Sequence, residues 1–453
     1  MDRLAAVILA AGKGTRMKSE TPKVLFPVAG KPMLQHILDT LKAVGISEIY
    51  VVVGYESGQV RAAVTGVSTW VEQREQLGTG HALAQAARYL QGYSGRVMVL
   101  AGDTPLLTAS TLSGLLTEHK DNKNAATVLS AQVPDPAGYG RIVRAENGSV
   151  LAIVEEKDAT PREKAITEIS SGTFCFSWAK VGPLLTRLKS NNAQGEYYLT
   201  DILSLLAEEG EKTGAYASKD YREVSGVNDR IQLAWAEKIM RQRINQKLML
   251  AGVSMVDPES VWIDSGVEIG QDTLIFPHTY IFGSTIVGSN CRLGPNTSLN
   301  SAKLGNNVFV RHAVVEEACI GDDTSVGPFA YIRPGTEIGC GVRIGDFVEI
   351  KNSRIGDGTK VPHLAYVGDA QVGNNTNIGC GVITANYDGV SKRKTEIGDR
   401  VFIGCNSNLV APLKIEDGAY VAAGSTITAD VPARALAIAR SRQTVKADWR
   451  KKD

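Results

Sequence analysis

Two groups of residues have the types and spacing to do chemistry. The first lies near the start, in LAAGKGTRM followed by Pro22-Lys23. The small residues Ala10, Ala11, Gly12 and Gly14 let a backbone come close to a phosphate, and successive N–H groups can cradle it. Lys13, Arg16 and Lys23 add positive charge where a polyphosphate would lie. The run is not a Walker A loop, which needs GxxxxGK followed by Ser or Thr. Nor is it a dinucleotide fingerprint, because Met17 stands where a third glycine would be. A bare GxG would be read as a strand-to-helix turn with surface cations; GxGTRM followed by PK points to phosphate chemistry. Asp103 is expected to join this site as a metal-binding carboxylate, since it ends a strand-like run, Arg96 to Ala101. The competing role is a helix cap, because helix-like sequence follows Pro105.

The second group centres on His363 in KVPHLAYVGDA. An imidazole is suited to taking a proton from an amine near neutral pH. Tyr366 and Asn377 follow closely, and then the stretch TANYDGVSKRKTE between Ile383 and Ile397, with Asn386, Tyr387, Lys392, Arg393 and Lys394. The other five histidines read as structural.

The elements that must position these groups differ between the two halves. The first half alternates strand-like runs (Ala5 to Ala10, Glu48 to Val53, Arg96 to Ala101) with helix-like ones (Met33 to Val44, Ala82 to Leu90). Such alternation predicts an α/β domain with a largely parallel, covered sheet. Ligands of such sheets lie at the carboxyl ends of the strands, so the loops from Ala11 and Gly102 are where chemistry is expected. A long helix is predicted over Asp229 to Leu250, capped by Asn228 or Asp229 and ended by Gly252. It divides the chain into 1–228, a linker helix 229–250, and 251–453. From Val267 an aliphatic residue recurs every six positions: Ile269, Ile275, Ile281, Val287, Leu293 and Leu299, then Ile320 to Ile350, then Ile397 to Ile427. A six-residue period kept this long predicts a parallel β-helix, with each aliphatic side chain stacked on its equivalent one coil away. Gly and Asn should take the corners. The stretch after Ile383 interrupts the period and should form a loop on one face.

Composition narrows the function classes. Charge is nearly balanced at +1, so bulk electrostatics offers no attraction to nucleic acid or to an anionic membrane. No segment has the apolar length of a transmembrane helix. The opening MDRLAAVILAAGKGTRM reads as a buried strand leading into a loop, not a signal peptide. The six cysteines form no CxxC pair, which favours free thiols in a reducing, cytoplasmic compartment.

With QLGTGHA, GYGRI and NNAQGEYYLTD added to the Gly-rich loop and the six-residue repeat, the whole chain resembles the bacterial bifunctional N-acetylglucosamine-1-phosphate uridyltransferase/glucosamine-1-phosphate acetyltransferases. The resemblance implies a Rossmann-like α/β nucleotidyltransferase domain followed by a left-handed parallel β-helix. It implies that Leu9, Ala10, Ala11, Gly12 and Lys23 hold UTP, that Gln73, Gly78 and Thr79 read the uracil, and that Asp103 and Asn228 hold Mg²⁺. Gly140, Glu155, Ser170 and Asn228 would surround the sugar, with Arg16 and Lys23 offsetting charge on the transferring phosphates. In the second half it makes His363 the general base. Arg333, Lys351, Tyr366, Asn377, Asn386 and Tyr387 would bind glucosamine 1-phosphate. Ala423 and Arg440, with Cys380 and Cys405 nearby, would contact acetyl-CoA. Both cysteines are read as small packing residues rather than nucleophiles, because the sequence shows no carboxylate–His–Cys arrangement to activate them. The resemblance further implies a homotrimer, the substrates UTP, acetyl-CoA, glucosamine 1-phosphate and N-acetylglucosamine 1-phosphate, and a product for peptidoglycan and lipopolysaccharide-type envelope synthesis.

Two other readings compete. In one, the chain is a hexose-1-phosphate nucleotidyltransferase with a regulatory, non-catalytic β-helix. In the other it is a non-enzymatic scaffold. His363 with Asn377, Asn386 and Arg440 speaks against the first, and the cationic loop with Asp103 and Asn228 speaks against the second.

Overall fold

The computed structural model describes residues 3–450. The chain forms two compact units, Met1–Met240 and Arg241–Asp453. Among the described residues no helix is long and apolar enough to cross a membrane.

The first unit is built on a nine-stranded sheet. Its strands are β1 (Leu4–Ala10), β2 (Glu48–Val53), β3 (Thr69–Glu72), β4 (Arg96–Ala101), β5 (Ala126–Gln132), β6 (Arg141–Arg144), β7 (Val150–Val154), β8 (Glu168–Ser177) and β9 (Thr213–Ala217). The order is β9-β5-β8-β4-β1-β2-β3, with β6 pairing β8 and β7 at one side. β1 lies parallel between β2 and β4, and its apolar run is buried because both faces are covered. Helices α1 (Met33–Ala43), α2 (Thr79–Ala87), α3 (Ala109–Asp121) and α4 (Asp201–Glu208) help to cover the sheet. The sheet is mixed, whereas the alternation predicted a largely parallel one: β8 runs antiparallel to both β4 and β5. The expected Ala82–Leu90 helix also begins earlier, at Thr79, and ends in a 3₁₀ turn over Arg88–Leu90.

A long helix, α5 (Arg230–Leu250), follows. Asp229 caps it, its carboxylate accepting the Gln232 N–H at 2.8 Å. The capping role therefore falls on Asp229 and leaves the Asn228 side chain free for other work. Ala236 and Ile239 pack with Met17, Phe26 and Met33 of the first unit. Ile244 and Leu248 pack against the core of the second.

The second unit is a left-handed parallel β-helix whose short strands stack into sheets of eleven, ten and nine strands. Ile263 pairs with Ile281 and Ile281 with Leu299, so one coil is three six-residue repeats. The inward positions form a single aliphatic column system in which nearly every repeat residue is buried, Ile269 being partly covered at the first coils. The glycine that so often follows has a steric cause. At Gly373, for example, a Cβ would lie 2.5 Å from the Asp399 side chain of the next coil. That carboxylate accepts the Asn374 N–H at 2.7 Å, and Asp357 and Asp417 repeat the bond on their own coils. The Gly-Asn and Gly-Asp pairs in the repeat are thus a ladder joining successive coils. The inserted stretch widens one coil, since Val372 pairs with Ile397, and it folds back on itself through a Tyr387–Lys392 bridge.

Candidate active sites

In the first unit, β1 runs into the Gly-rich loop and β4 ends beside it. Gly14 adopts φ 61°, and a Cβ there would sit 2.6 Å from Lys23 Cβ, so the loop closes on Lys23 only with glycine at this position. The loop opens on a cleft of about 520 Å³. Leu9, Ala10, Ala11, Gly12, Arg16, Lys23, Gln73, Gly78, Thr79, Asp103, Gly140, Glu155, Ser170 and Asn228 all line it. These are all the residues expected from sequence for the first site. Lys13, named for its charge, is exposed and is not part of the lining.

Four charged or amide groups meet on the floor of the cleft. The Lys23 ammonium donates to Asp103 Oδ2 and, at 3.1 Å, to Asn228 Oδ1. Arg16 Nη2 donates to the same Asn228 oxygen at 2.9 Å. Asp103 is not a helix cap; α3 starts at Ala109, capped by Thr108. A positive charge already lies between the Asp103 and Asn228 oxygens, and hard oxygen donors of this kind suit Mg²⁺ when substrate phosphates complete the shell. Among the described residues no group of three or more His, Cys, Asp and Glu gathers as a self-sufficient metal site.

At the far side, Gln73 Nε2 donates to Gly78 O at 3.2 Å, which fixes its amide at the cleft edge. Thr79 Oγ1 accepts the Leu199 N–H at 3.0 Å. Glu155 is held above the usual carboxylate range, first by burial and then by the nearby negative charges of Asp201, Asp158 and Glu196; the Thr200 hydroxyl, 3.1 Å away, pulls it partly back. Ser170 precedes an irregularity in β8, where Gly172 takes φ 74° and the pairing with β5 shifts before Phe174. The irregular stretch Ser170–Gly172 faces the cleft. Gln76, Tyr139, Glu196 and Thr200 also line it and were not singled out from sequence. Each lies inside a quoted run, QLGTGHA, GYGRI or NNAQGEYYLTD, and the cleft shows which members of those runs face it.

In the second unit the geometry is of another kind. Arg333, Lys351 and Gly368 occupy equivalent positions on three successive coils. The Tyr366 ring lies over Gly368, where a Cβ would collide with it. Arg333 Nη1 donates to Glu349 Oε1 at 2.7 Å. Asn386 donates to Asp369, which also accepts from Asn352 at 2.6 Å. The inserted loop brings Lys392 up to Lys351, and the contact between the two ammonium groups lowers the Lys392 pKa, with Asp369 opposing. Lys392 therefore belongs with Arg333, Lys351, Tyr366 and Asn386, although sequence reading gave it no role. Tyr387 is exposed and donates to Gly389 O at 2.7 Å within the loop.

His363 sits at a corner of the coil, and its Nδ1 is 2.5 Å from Asp346 Oδ1 on the preceding coil. Protonated at Nδ1 toward that carboxylate, the ring presents Nε2 with a free lone pair. The Gly381 N–H bonds Leu364 O, the Asn406 N–H bonds Cys380 O, and the Gly424 N–H bonds Cys405 O. Asp346, His363, Cys380, Cys405 and Ala423 therefore follow one another up one corner column, and Arg440 Nη1 closes it by donating to Ala423 O at 2.8 Å. This corrects the sequence reading on one point: a carboxylate and an imidazole are paired, and Cys380 stands on the next coil. The pairing was invisible in sequence because Asp346 and His363 meet only through the register of the β-helix. Asn377 is not brought to the Lys351 face. It pairs with Lys360 and Phe402 on a different sheet of the coil.

Comparison with known proteins adds to this geometry. Residues 6–163 match the family model of a MobA-like NTP transferase domain, and residues 314–415 that of a GMPPB C-terminal domain. The chain is 52% identical to the Bifunctional protein GlmU of Brevibacillus brevis over 452 residues, covering 100% of this chain and 98% of that protein. The chain belongs to the bifunctional GlmU family. GlmU proteins of a Geobacillus species and of Acetivibrio thermocellus are 52% and 51% identical, over 98% and 99% of this chain and 97% of each relative. The likeness to GlmU proteins thus runs through both units and both candidate sites, beyond the span of either family model.

Proposed function

We propose that the two sites carry the two transfers of UDP-N-acetylglucosamine synthesis: acetylation of glucosamine 1-phosphate by acetyl-CoA in the second unit, then uridyl transfer from UTP in the first. The observation that carries this reading is that each unit has its own set of reactive groups. One has a cleft where Arg16, Lys23, Asp103 and Asn228 meet; the other has the His363–Asp346 pair and, on a coil face, Lys351 with Lys392.

In the first cleft, Leu9, Ala10, Ala11 and Gly12 offer backbone to the triphosphate, and Gln73, Gly78 and Thr79 meet the base. Gly140, Glu155 and Ser170 flank the sugar. The sugar phosphate attacks the α-phosphate and pyrophosphate leaves, a reaction that needs positioning and charge neutralisation more than covalent help. Asp103 and Asn228 would hold Mg²⁺, which when bound would neutralise phosphate charge. Lys23 and Arg16 supply the remaining charge, Arg16 through a planar guanidinium fitted to phosphate.

In the second unit, His363 Nε2 takes a proton from the substrate amine, freeing its lone pair to attack the thioester. Asp346 fixes the tautomer and steadies the imidazolium that forms. Lys351, Lys392 and Arg333 receive the sugar phosphate. Cys380, Cys405, Ala423 and Arg440 lie along the path of acetyl-CoA.

A homotrimer fits two features. Asn377 faces away from Lys351, so a second copy is needed to bring such residues together. Beside His363, Leu364 continues a corner column with Phe329 and Phe347, each 58% exposed and each at positive φ. The two phenyl rings stack at 5.4 Å, and His312 packs on Phe329 at 5.6 Å. An exposed apolar column of this kind is a feature of an interface. A cytoplasmic location belongs to this proposal, because six cysteines without a CxxC pair suit a reducing compartment.

The alternative is the reading in which the β-helix, whose residues 314–415 match a GMPPB C-terminal domain, is regulatory. A mass-spectrometric product assay with glucosamine 1-phosphate, acetyl-CoA, UTP and Mg²⁺ separates them. UDP-N-acetylglucosamine should form only when all are present, and N-acetylglucosamine 1-phosphate should still form without UTP. Uridyl transfer without any acetyl transfer would favour the regulatory reading.

A further inference from the structure

We propose that Cys380 and Cys405 are a redox-sensitive thiol pair that closes as a disulfide across two coils and stops acetyl transfer while uridyl transfer continues. The pair rests on geometry alone. Its effect rests on the reading of this column as the acetyl site.

The two residues are equivalent positions of adjacent coils. Ile378 pairs with Ile403, and the Asn406 N–H donates to Cys380 O at 2.7 Å. The coils are in tight contact there, since a Cβ on Gly379 would lie 2.7 Å from Cys405 N. Each cysteine is followed by a residue at positive φ, Gly381 at 73° and Asn406 at 55°, so the two turns have the same form. The spacing of neighbouring strands, about 4.8 Å, falls within the Cα separation of disulfides, about 4.4–6.8 Å.

Access and chemistry agree with this. Cys405 is exposed, Cys380 is half-buried, and both are free thiols. His363 stands on the coil before Cys380 and can accept a thiol proton. The other cysteines lack such a neighbour. Cys175 and Cys291 are buried, and Cys319 pairs with Lys303 and Glu337. Cys340 bonds through its N–H to Asp357 at the next coil. Ala423 and Arg440 continue the same column, so coenzyme A, itself a thiol, would be released beside the pair.

The step is thiol–disulfide exchange with a low-molecular-weight disulfide. One cysteine thiolate attacks a sulfur of the reagent, whose S–S bond breaks, and one half leaves as a thiolate that takes up a proton. The second cysteine then attacks the mixed disulfide and expels the other half. The protein loses two protons and two electrons, and the reagent becomes two thiols. A disulfide with an exposed sulfur is open to attack by a small thiol and so can be reduced again. The switch is therefore reversible.

The test uses the full chain, reduced, freed of reductant and treated with the disulfide of coenzyme A. Intact mass, peptide mapping and both transfer assays are followed. The expected result is the loss of two hydrogens and a link between the Cys380 and Cys405 peptides. Acetyl transfer is lost in proportion to the linked fraction, uridyl transfer is kept, and dithiothreitol restores the first. Cys405→Ser should stop at a mixed disulfide carrying one coenzyme A on Cys380. Absence of the Cys380–Cys405 link under conditions that modify Cys319 or Cys340 would overturn the pair. A link that leaves acetyl transfer at its starting rate would overturn the switch. Protein that never acetylates, even when reduced, would instead refute the acetyl-site reading and leave the link itself to the mass measurement.

Discussion

The cleft of the first unit and the corner column of the second solve the problem of positioning in opposite ways. In the cleft, residues far apart in sequence converge on one concave floor, where Arg16, Lys23, Asp103 and Asn228 touch one another. Every residue expected there except the exposed Lys13 lines the same space. In the β-helix, the expected residues are spread along a rigid rod, and Asn377 faces away from Lys351. A sheet with loops at its strand ends can fold a site around a ligand. A solenoid offers only flat faces and corners, so its site must be completed by another surface. The cleft should therefore work in any assembly state, and the column should not.

Metal removal should separate the two most sharply. Chelation of Mg²⁺ should abolish uridyl transfer and spare acetyl transfer, because only the cleft handles a triphosphate through Asp103 and Asn228. Assaying both products with and without chelator checks this, and an acetyl transfer that also needed Mg²⁺ would break the division. Arg16→Ala should lower uridyl transfer by ~10²–10³-fold, the usual loss on removing one group that stabilises developing charge. Acetyl transfer should stay unchanged. Equal loss of both would point to a folding defect, which a thermal melt would reveal.

Assembly gives an intermediate effect. Phe347→Glu places a charge in the exposed apolar column and should shift the protein toward monomer in analytical ultracentrifugation. Acetyl transfer should fall with the trimer population, and uridyl transfer should persist. A monomer that acetylates normally would contradict the split site.

The smallest effect concerns stability. Burial raises the Glu155 pKa in the folded state, so ionising it costs the folded chain more than the unfolded one. That penalty is absent when the pH lies below the ordinary carboxylate range and grows as the pH rises through the raised value. Glu155→Gln removes it. The variant should gain melting temperature relative to wild type as the pH is raised from acid to neutral, while losing uridyl transfer. An equal difference at both pH values would show that Glu155 charge is not the cause.

The two regions also differ in how much of them the sequence discloses. The six-residue period is legible because each inward side chain meets the same environment, so Ile281, Leu299 and their equivalents repeat. The Gly-rich loop is legible because close approach to phosphate demands small residues in one continuous run. The antiparallel β8 was not, since a buried strand carries no mark of its direction. Nor was Asp346, which meets His363 only through coil register, or Lys392, whose partner Lys351 is reached through a folded-back loop. The stacking of Cys380 on Cys405 is hidden for the same reason: the inserted stretch between them obscures that they are one coil apart.

The central claim is that two independent reactions are run by two separate constellations, and His363 tests it most directly. His363→Ala should lower acetylation of glucosamine 1-phosphate by ~10²–10⁴-fold, the usual contribution of a positioned base. Uridyl transfer and the melting temperature should remain at wild-type values. The measurement is acetyl-CoA consumption with product mass, on folded variant protein, alongside pyrophosphate release. A folded His363→Ala protein that acetylates at the wild-type rate would contradict the account.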